Sequence, residues 1–180
     1  MSTPNEAAAV LKTADATERH SAEIYWYSRS APHFFLWGAA WMMGYLGCAL
    51  RSDLFDTIMP IAIWSGVAGS LIISLMGRGS RNYNSRRIAA AFAVMWIFTY
   101  ALFAIFPPNP LKIGAYFPLL FSALYAGVGL WLGLRYVVAA VFLATATLGG
   151  YFLMRDHFFA WMAFAGGGIL ILTGIWLRRT

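Results

Sequence analysis

Six runs of apolar residues fill this chain from residue 33 to residue 177, and none of them carries an Asp, Glu, Lys or Arg in its interior. They lie at 33–50, 57–76, 88–106, 113–134, 136–154 and 157–177. Each is near the roughly twenty residues that a helix needs to cross the hydrocarbon of a bilayer. A soluble domain of 180 residues has no core large enough to hide 61% hydrophobic against 11% charged residues. The pattern predicts an all-α polytopic membrane protein with six transmembrane helices.

The basic residues set the orientation. The longest polar break, Gly77 to Arg87 (GRGSRNYNSRR), holds Arg78, Arg81, Arg86 and Arg87 with no acidic residue. Lys12, Arg19 and Arg29 in the tail, Arg135, and the closing Arg178 and Arg179 fall on the same side of the predicted spans. That makes ten basic residues on one face against three, Arg51, Lys112 and Arg155, on the other. Short cytoplasmic loops carry the excess of Lys and Arg, so both termini are expected in the cytoplasm. The net charge of +6 then reads as an orientation signal and as contact with anionic lipid through Arg29, Arg78, Arg81, Arg86, Arg87, Arg178 and Arg179. It does not read as nucleic-acid binding.

Residues 1–30 form a cytoplasmic tail ahead of a transmembrane domain at 31–180. The tail is too polar and too long to be a secretory signal. Thr3-Pro4-Asn5-Glu6 has the form of a capping box, followed by Ala7, Ala8, Ala9, Val10 and Leu11, which predicts a short helix from residue 4. Ile24 to Arg29 place three aromatic side chains beside an arginine just before the first span, a composition suited to the headgroup layer.

Three of the runs contain glycines and close on arginine: GVAGSLIISLMGR at Gly66–Arg78, GVGLWLGLR at Gly127–Arg135 and GGGILILTGIWLRR at Gly166–Arg179. A basic stop at every inward helix end explains this rhythm as well as a true repeat does. As a repeat it gives three tandem helical hairpins related by parallel symmetry. Small residues at four-residue steps, namely Ala40, Gly44 and Cys48, then Ala62, Gly66, Ser70 and Ser74, then Gly129 and Gly133, mark seams where backbones approach closely. Pro118 removes a backbone donor from the fourth span, which predicts a kink or cavity there, with Ser122 one turn on helping the freed carbonyl region. This hairpin rhythm and glycine habit over residues 31–179 resembles the small bacterial six-helix membrane proteins of the HdeD acid-resistance type. The resemblance implies a non-enzymatic, stress-related protein of the bacterial inner membrane.

No catalytic, metal or cofactor constellation is found. Intramembrane charges, the usual mark of proton relays and ion pathways, are missing from the six runs. His33 and His157 start spans on opposite faces, so neither one metal ion nor one haem can take both. Cys48 is a single thiol among apolar neighbours and reads as a small hydrophobe. The first functional expectation is a non-catalytic membrane component that packs against a protein partner or forms a homo-oligomer. A facilitator for a small uncharged solute is the alternative, its seam lined by hydroxyls with Tyr45, Tyr100 and Tyr125. An enzyme ranks third, because no two groups suited to acid-base or nucleophilic chemistry share a layer.

Overall fold

The computed structural model describes residues 4–76 and 84–179, so Thr3 of the capping box and most of the arginine-rich break lie outside the described residues. The described chain is all helical: α1 (Pro4–Leu50), α2 (Phe55–Met76), α3 (Asn84–Ile105), α4 (Pro110–Leu132), α5 (Leu134–Leu153) and α6 (Phe158–Arg178). Among the described residues four stretches are long and apolar enough to cross a membrane: Ser52–Met76, Pro110–Leu132, Leu134–Leu153 and Arg155–Arg178. Ala93–Ile105 is a shorter apolar helix among the described residues. The second half of α1 is diluted by His33, three glycines and the amphipathic rings of Trp37, Trp41 and Tyr45.

The juncture between residues 30 and 31 falls inside α1, which continues from the tail past Pro32 to Leu50 without a break. This helix is the axis of the molecule. Its glycines face two neighbours, both antiparallel to it. Toward α2, a Cβ on Gly44 would meet the Ala62 methyl at 2.7 Å, while Trp37 packs over Gly66 and donates to Ser70 Oγ at 3.0 Å. Toward α6 the approach is backbone to backbone: a Cβ on Gly167 would lie 2.9 Å from the Gly38 carbonyl, and one on Gly38 would lie 3.0 Å from the Gly167 carbonyl. The small-residue stripes therefore do what lipid-embedded helices require, replacing the missing hydrophobic effect with close van der Waals contact. Pairing of the first helix with the last closes the bundle, a contact the hairpin rhythm did not anticipate.

Two hairpins share one turn design. In both α1–α2 and α5–α6 a glycine carbonyl four residues back (Gly47, Gly150) accepts the amide of the first turn residue, Arg51 or Met154. Those residues have similar backbone angles, φ −139° and ψ 74° against φ −130° and ψ 43°. A three-residue 3-10 turn follows, and then a buried phenylalanine, Phe55 or Phe158, with a buried methionine four residues on, Met59 or Met162. The α3–α4 connection is built differently. Pro107 and Pro108 cannot continue a helix, Asn109 caps α4 by accepting from Lys112 N at 2.9 Å, and Pro110 occupies the first helical position. Between these two helices the described contacts are made by long side chains: Phe103 packs on Tyr116 and Phe117, and Thr99 Oγ1 lies 3.0 Å from Tyr116 Oη. Trp96, stacked on Trp64 of α2 and leaning on Phe117, adds to the attachment of α3.

Pro118 sits fully buried inside α4 without ending it. Its missing amide frees the carbonyl of Gly114, one turn earlier. That carbonyl is met not by Ser122, whose hydroxyl donates to Pro118's own carbonyl at 2.8 Å, but by the buried Tyr45 of α1, whose hydroxyl donates to it at 2.5 Å. Replacing Tyr45 by Phe is expected to cost about 1–3 kcal/mol, since a buried acceptor is left unmet. Repeating the change in a Pro118→Ala background restores the amide donor and is expected to cost less than half as much. Detergent-titrated unfolding of the four proteins measures the coupling; equal costs in both backgrounds would refute the pairing.

Candidate functional site

The end of the bundle that carries the close of α6 gathers Glu23, Tyr27, Arg135, Tyr136 and Trp176, a set of polar and aromatic side chains from three helices. It is organised by Gly133. The four-residue spacing predicts Gly129 and Gly133 together on one helix seam, but only Gly129 has that role, with Val137 and Tyr136 against it. Gly133 is instead the single residue between α4 and α5. Its angles, φ 122° and ψ 154°, lie in a region essentially reserved for glycine. The Gly133 amide still bonds back to Gly129 O at 3.1 Å, and its carbonyl accepts from Tyr136 N at 3.3 Å, so the chain reverses without stranding its polar groups.

Over this turn lies the tail half of α1. Tyr27 Oη donates to Glu23 Oε1 at 2.6 Å, one helical turn back, and both oxygens occupy the space that a side chain at position 133 would need. Arg135 places its guanidinium 5.1 Å from the centroids of both the Tyr27 and the Trp176 rings and donates to Trp176 O at 2.8 Å. Cation–π contact and a charge-assisted bond at the C-terminal end of α6 thus tie α5 to α1 and α6. Tyr136 packs at a tilt against Tyr27, ring centroids 5.5 Å apart, and donates to Ser30 Oγ at 2.8 Å.

Burial, then the bond to Glu23, then the charge of Glu23 push the Tyr27 phenol up to about 12, against a smaller opposing influence from Arg135. A phenol raised in the folded state contributes stability that is complete below its unfolded value near 10 and is lost as pH climbs toward 12. Wild type is therefore expected to lose melting temperature more steeply than Tyr27→Phe between pH 10 and 12, with parallel behaviour below pH 10. Parallel curves throughout would contradict this role for Tyr27.

Of the arginines expected to meet lipid or a partner, the side chains of Arg29, Arg178 and Arg179 are described, and all three are exposed. Arg29 is exposed on α1 and donates to Tyr25 Oη at 3.2 Å; Arg178 and Arg179 are exposed at the end of α6. Arg78 and Arg81 lie outside the described residues, as do the side chains of Arg86 and Arg87. Pro118 and Ser122 are both buried, one satisfied through Tyr45 and the other through its own helix, as described above. Cys48 is fully buried, and His157 is exposed at the end opposite His33. Among the described residues no three of His, Cys, Asp or Glu converge on a point that a metal ion would occupy.

Sequence reasoning missed Glu23, Tyr27 and Arg135 as a unit. The available signals were weak: a glutamate and a tyrosine at four-residue spacing, and an arginine two residues after a glycine. No protein-family model, no curated protein and no solved structure matches this chain.

Proposed function

We propose that this chain is a non-catalytic membrane component with six spans and cytoplasmic termini, of the HdeD kind and resident in a bacterial inner membrane. It works by packing against a partner protein or a second copy of itself. The observation that carries the reading is the uneven closure of the bundle. α1 meets α2 and α6 across glycines, whereas the described contacts of α3 are rings and a hydroxyl. Val94, Ile97 and Phe98 on α3 are 60–69% exposed, an apolar face available to another helix in the bilayer. Helix association in lipid depends on packing and interhelical bonds, so such a face is the natural place for a further helix to seat.

Photo-crosslinking in native membranes tests this. A photoreactive residue at Ile97 or Phe98 is expected to give a discrete protein adduct, and one at the exposed Phe164 of α6 is expected to give none. Adducts with lipid alone from both α3 positions would count against the reading.

The alternative, a facilitator for a neutral solute, draws less support. Thr99, Ser122, Thr147 and Thr173 each donate to a carbonyl of their own helix. Tyr45 is engaged with Gly114, Tyr125 packs on Phe34 and Phe121, and Tyr100 is 64% exposed on the outside. A solute giving up its water would find few uncommitted partners along such a seam.

A further inference from the structure

Between the tail half of α1 and the α4–α5 turn lies an open groove of about 500 Å³, lined by Glu23, Trp26, Leu130, Trp131, Leu134 and Val137 among others. Its walls are apolar and face outward, with Leu130 78%, Trp131 82% and Leu134 71% exposed. A single carboxylate, Glu23, interrupts them. Tyr27 donates one hydrogen bond to that carboxylate, and among the described residues no cation comes within ion-pair distance of it. Arg135, the nearest described arginine in sequence to the turn, is committed to Tyr27 and Trp176 instead. Trp131 stands at the end of α4, and Trp26, midway along α1, lines the same groove beside the α4–α5 turn; amphipathic rings of this kind are suited to the lipid headgroup layer.

We propose that this groove holds one membrane lipid with an ammonium head group. Its positive nitrogen is set on the Glu23 carboxylate near the indoles of Trp26 and Trp131, and its acyl chain runs along Leu130, Leu134 and Val137. Each feature answers to one part of that ligand. A carboxylate in a partly apolar setting is stabilised by a cation, aromatic faces attract alkylammonium groups, and an apolar wall open to the bilayer accepts a chain. A lipid whose head lacks the ammonium gains only the last of these and leaves its phosphate near the Glu23 carboxylate with no ammonium between them.

The test is native mass spectrometry of the delipidated full chain in a neutral detergent, with phosphatidylethanolamine, phosphatidylcholine or phosphatidylglycerol added at matched concentration. The two ammonium lipids are expected to bind about fivefold or more above phosphatidylglycerol, the range of one exposed cation–π and ion-pair contact. Glu23→Gln keeps an acceptor for Tyr27 and is expected to bring that ratio close to one. Trp131→Ala, at a position too exposed to matter for folding, is expected to weaken both ammonium lipids while leaving melting unchanged. Equal binding of all three lipids by the wild type, or a ratio unchanged in both variants, would overturn the assignment.

Discussion

Replacing Gly133 by alanine is expected to be among the most damaging single-atom additions this chain can receive. Two separate costs combine there. The backbone region at φ 122° and ψ 154° charges a residue with a Cβ about 1–3 kcal/mol in strain. The added methyl must also displace Glu23 Oε1 and Tyr27 Oη, which breaks their hydrogen bond or lifts the tail half of α1 from the turn. Together these are expected to lower the melting temperature by about 5–10 °C, taking a few degrees per kcal/mol for a chain of this size. The contributions separate in a Glu23→Ala/Tyr27→Ala background: there Gly133→Ala is expected to show the strain alone, roughly half the effect. An undiminished effect would mean that the tail does not rest on the turn.

The second large effect is expected at the α1–α6 crossing. Gly166, Gly167 and Gly168 look alike in sequence, yet they face different surroundings. A Cβ at Gly167 would press on the Gly38 carbonyl at 2.9 Å and on Met42 N at 3.1 Å, both backbone atoms that move only if the helices part. A Cβ at Gly168 would meet nothing within 4 Å. Gly167→Leu is therefore expected to cost several kcal/mol, at or above the usual overpacking range of about 1–3 kcal/mol. Gly168→Ala is expected to be neutral or to stabilise by up to about 1 kcal/mol through helix propensity. Measuring both by the same unfolding assay, with Gly38→Leu as a third variant expected to match Gly167→Leu, checks the crossing from either side. Comparable effects at Gly167 and Gly168 would sink it.

What could be read from the residues and what could not follow a physical division. The apolar runs at 57–76, 113–134, 136–154 and 157–177 coincide within a few residues with helices able to cross a membrane, because length and polarity act locally. Seams such as Gly44 against Ala62 were legible for a similar reason: small residues at helical spacing have one principal use in lipid. Pairings between distant segments were not legible. Nothing near Pro118 announces that its freed carbonyl will be met by a tyrosine of the first helix, 69 residues earlier than Gly114. Likewise Gly133 follows Gly127 and Gly129 in an apolar run, where a packing glycine and a turn glycine are spelled the same way; only the backbone angles distinguish them. The site at the end that carries the close of α6 depends on three such long-range meetings, of Tyr27 with Arg135, of Arg135 with Trp176 and of Tyr136 with Ser30.

The proposed function rests on six spans oriented by an uneven distribution of arginine, with the Gly77–Arg87 break and both termini proposed to lie in the cytoplasm. Single-cysteine labelling in intact cells addresses it most directly, in a Cys48→Ala background with the reporter placed at Arg81 or at the exposed Ser52 of the α1–α2 turn. A membrane-impermeant thiol reagent is expected to label position 52 from outside and to reach position 81 only after the membrane is opened. Labelling of position 81 in intact cells, with position 52 protected, would contradict the account.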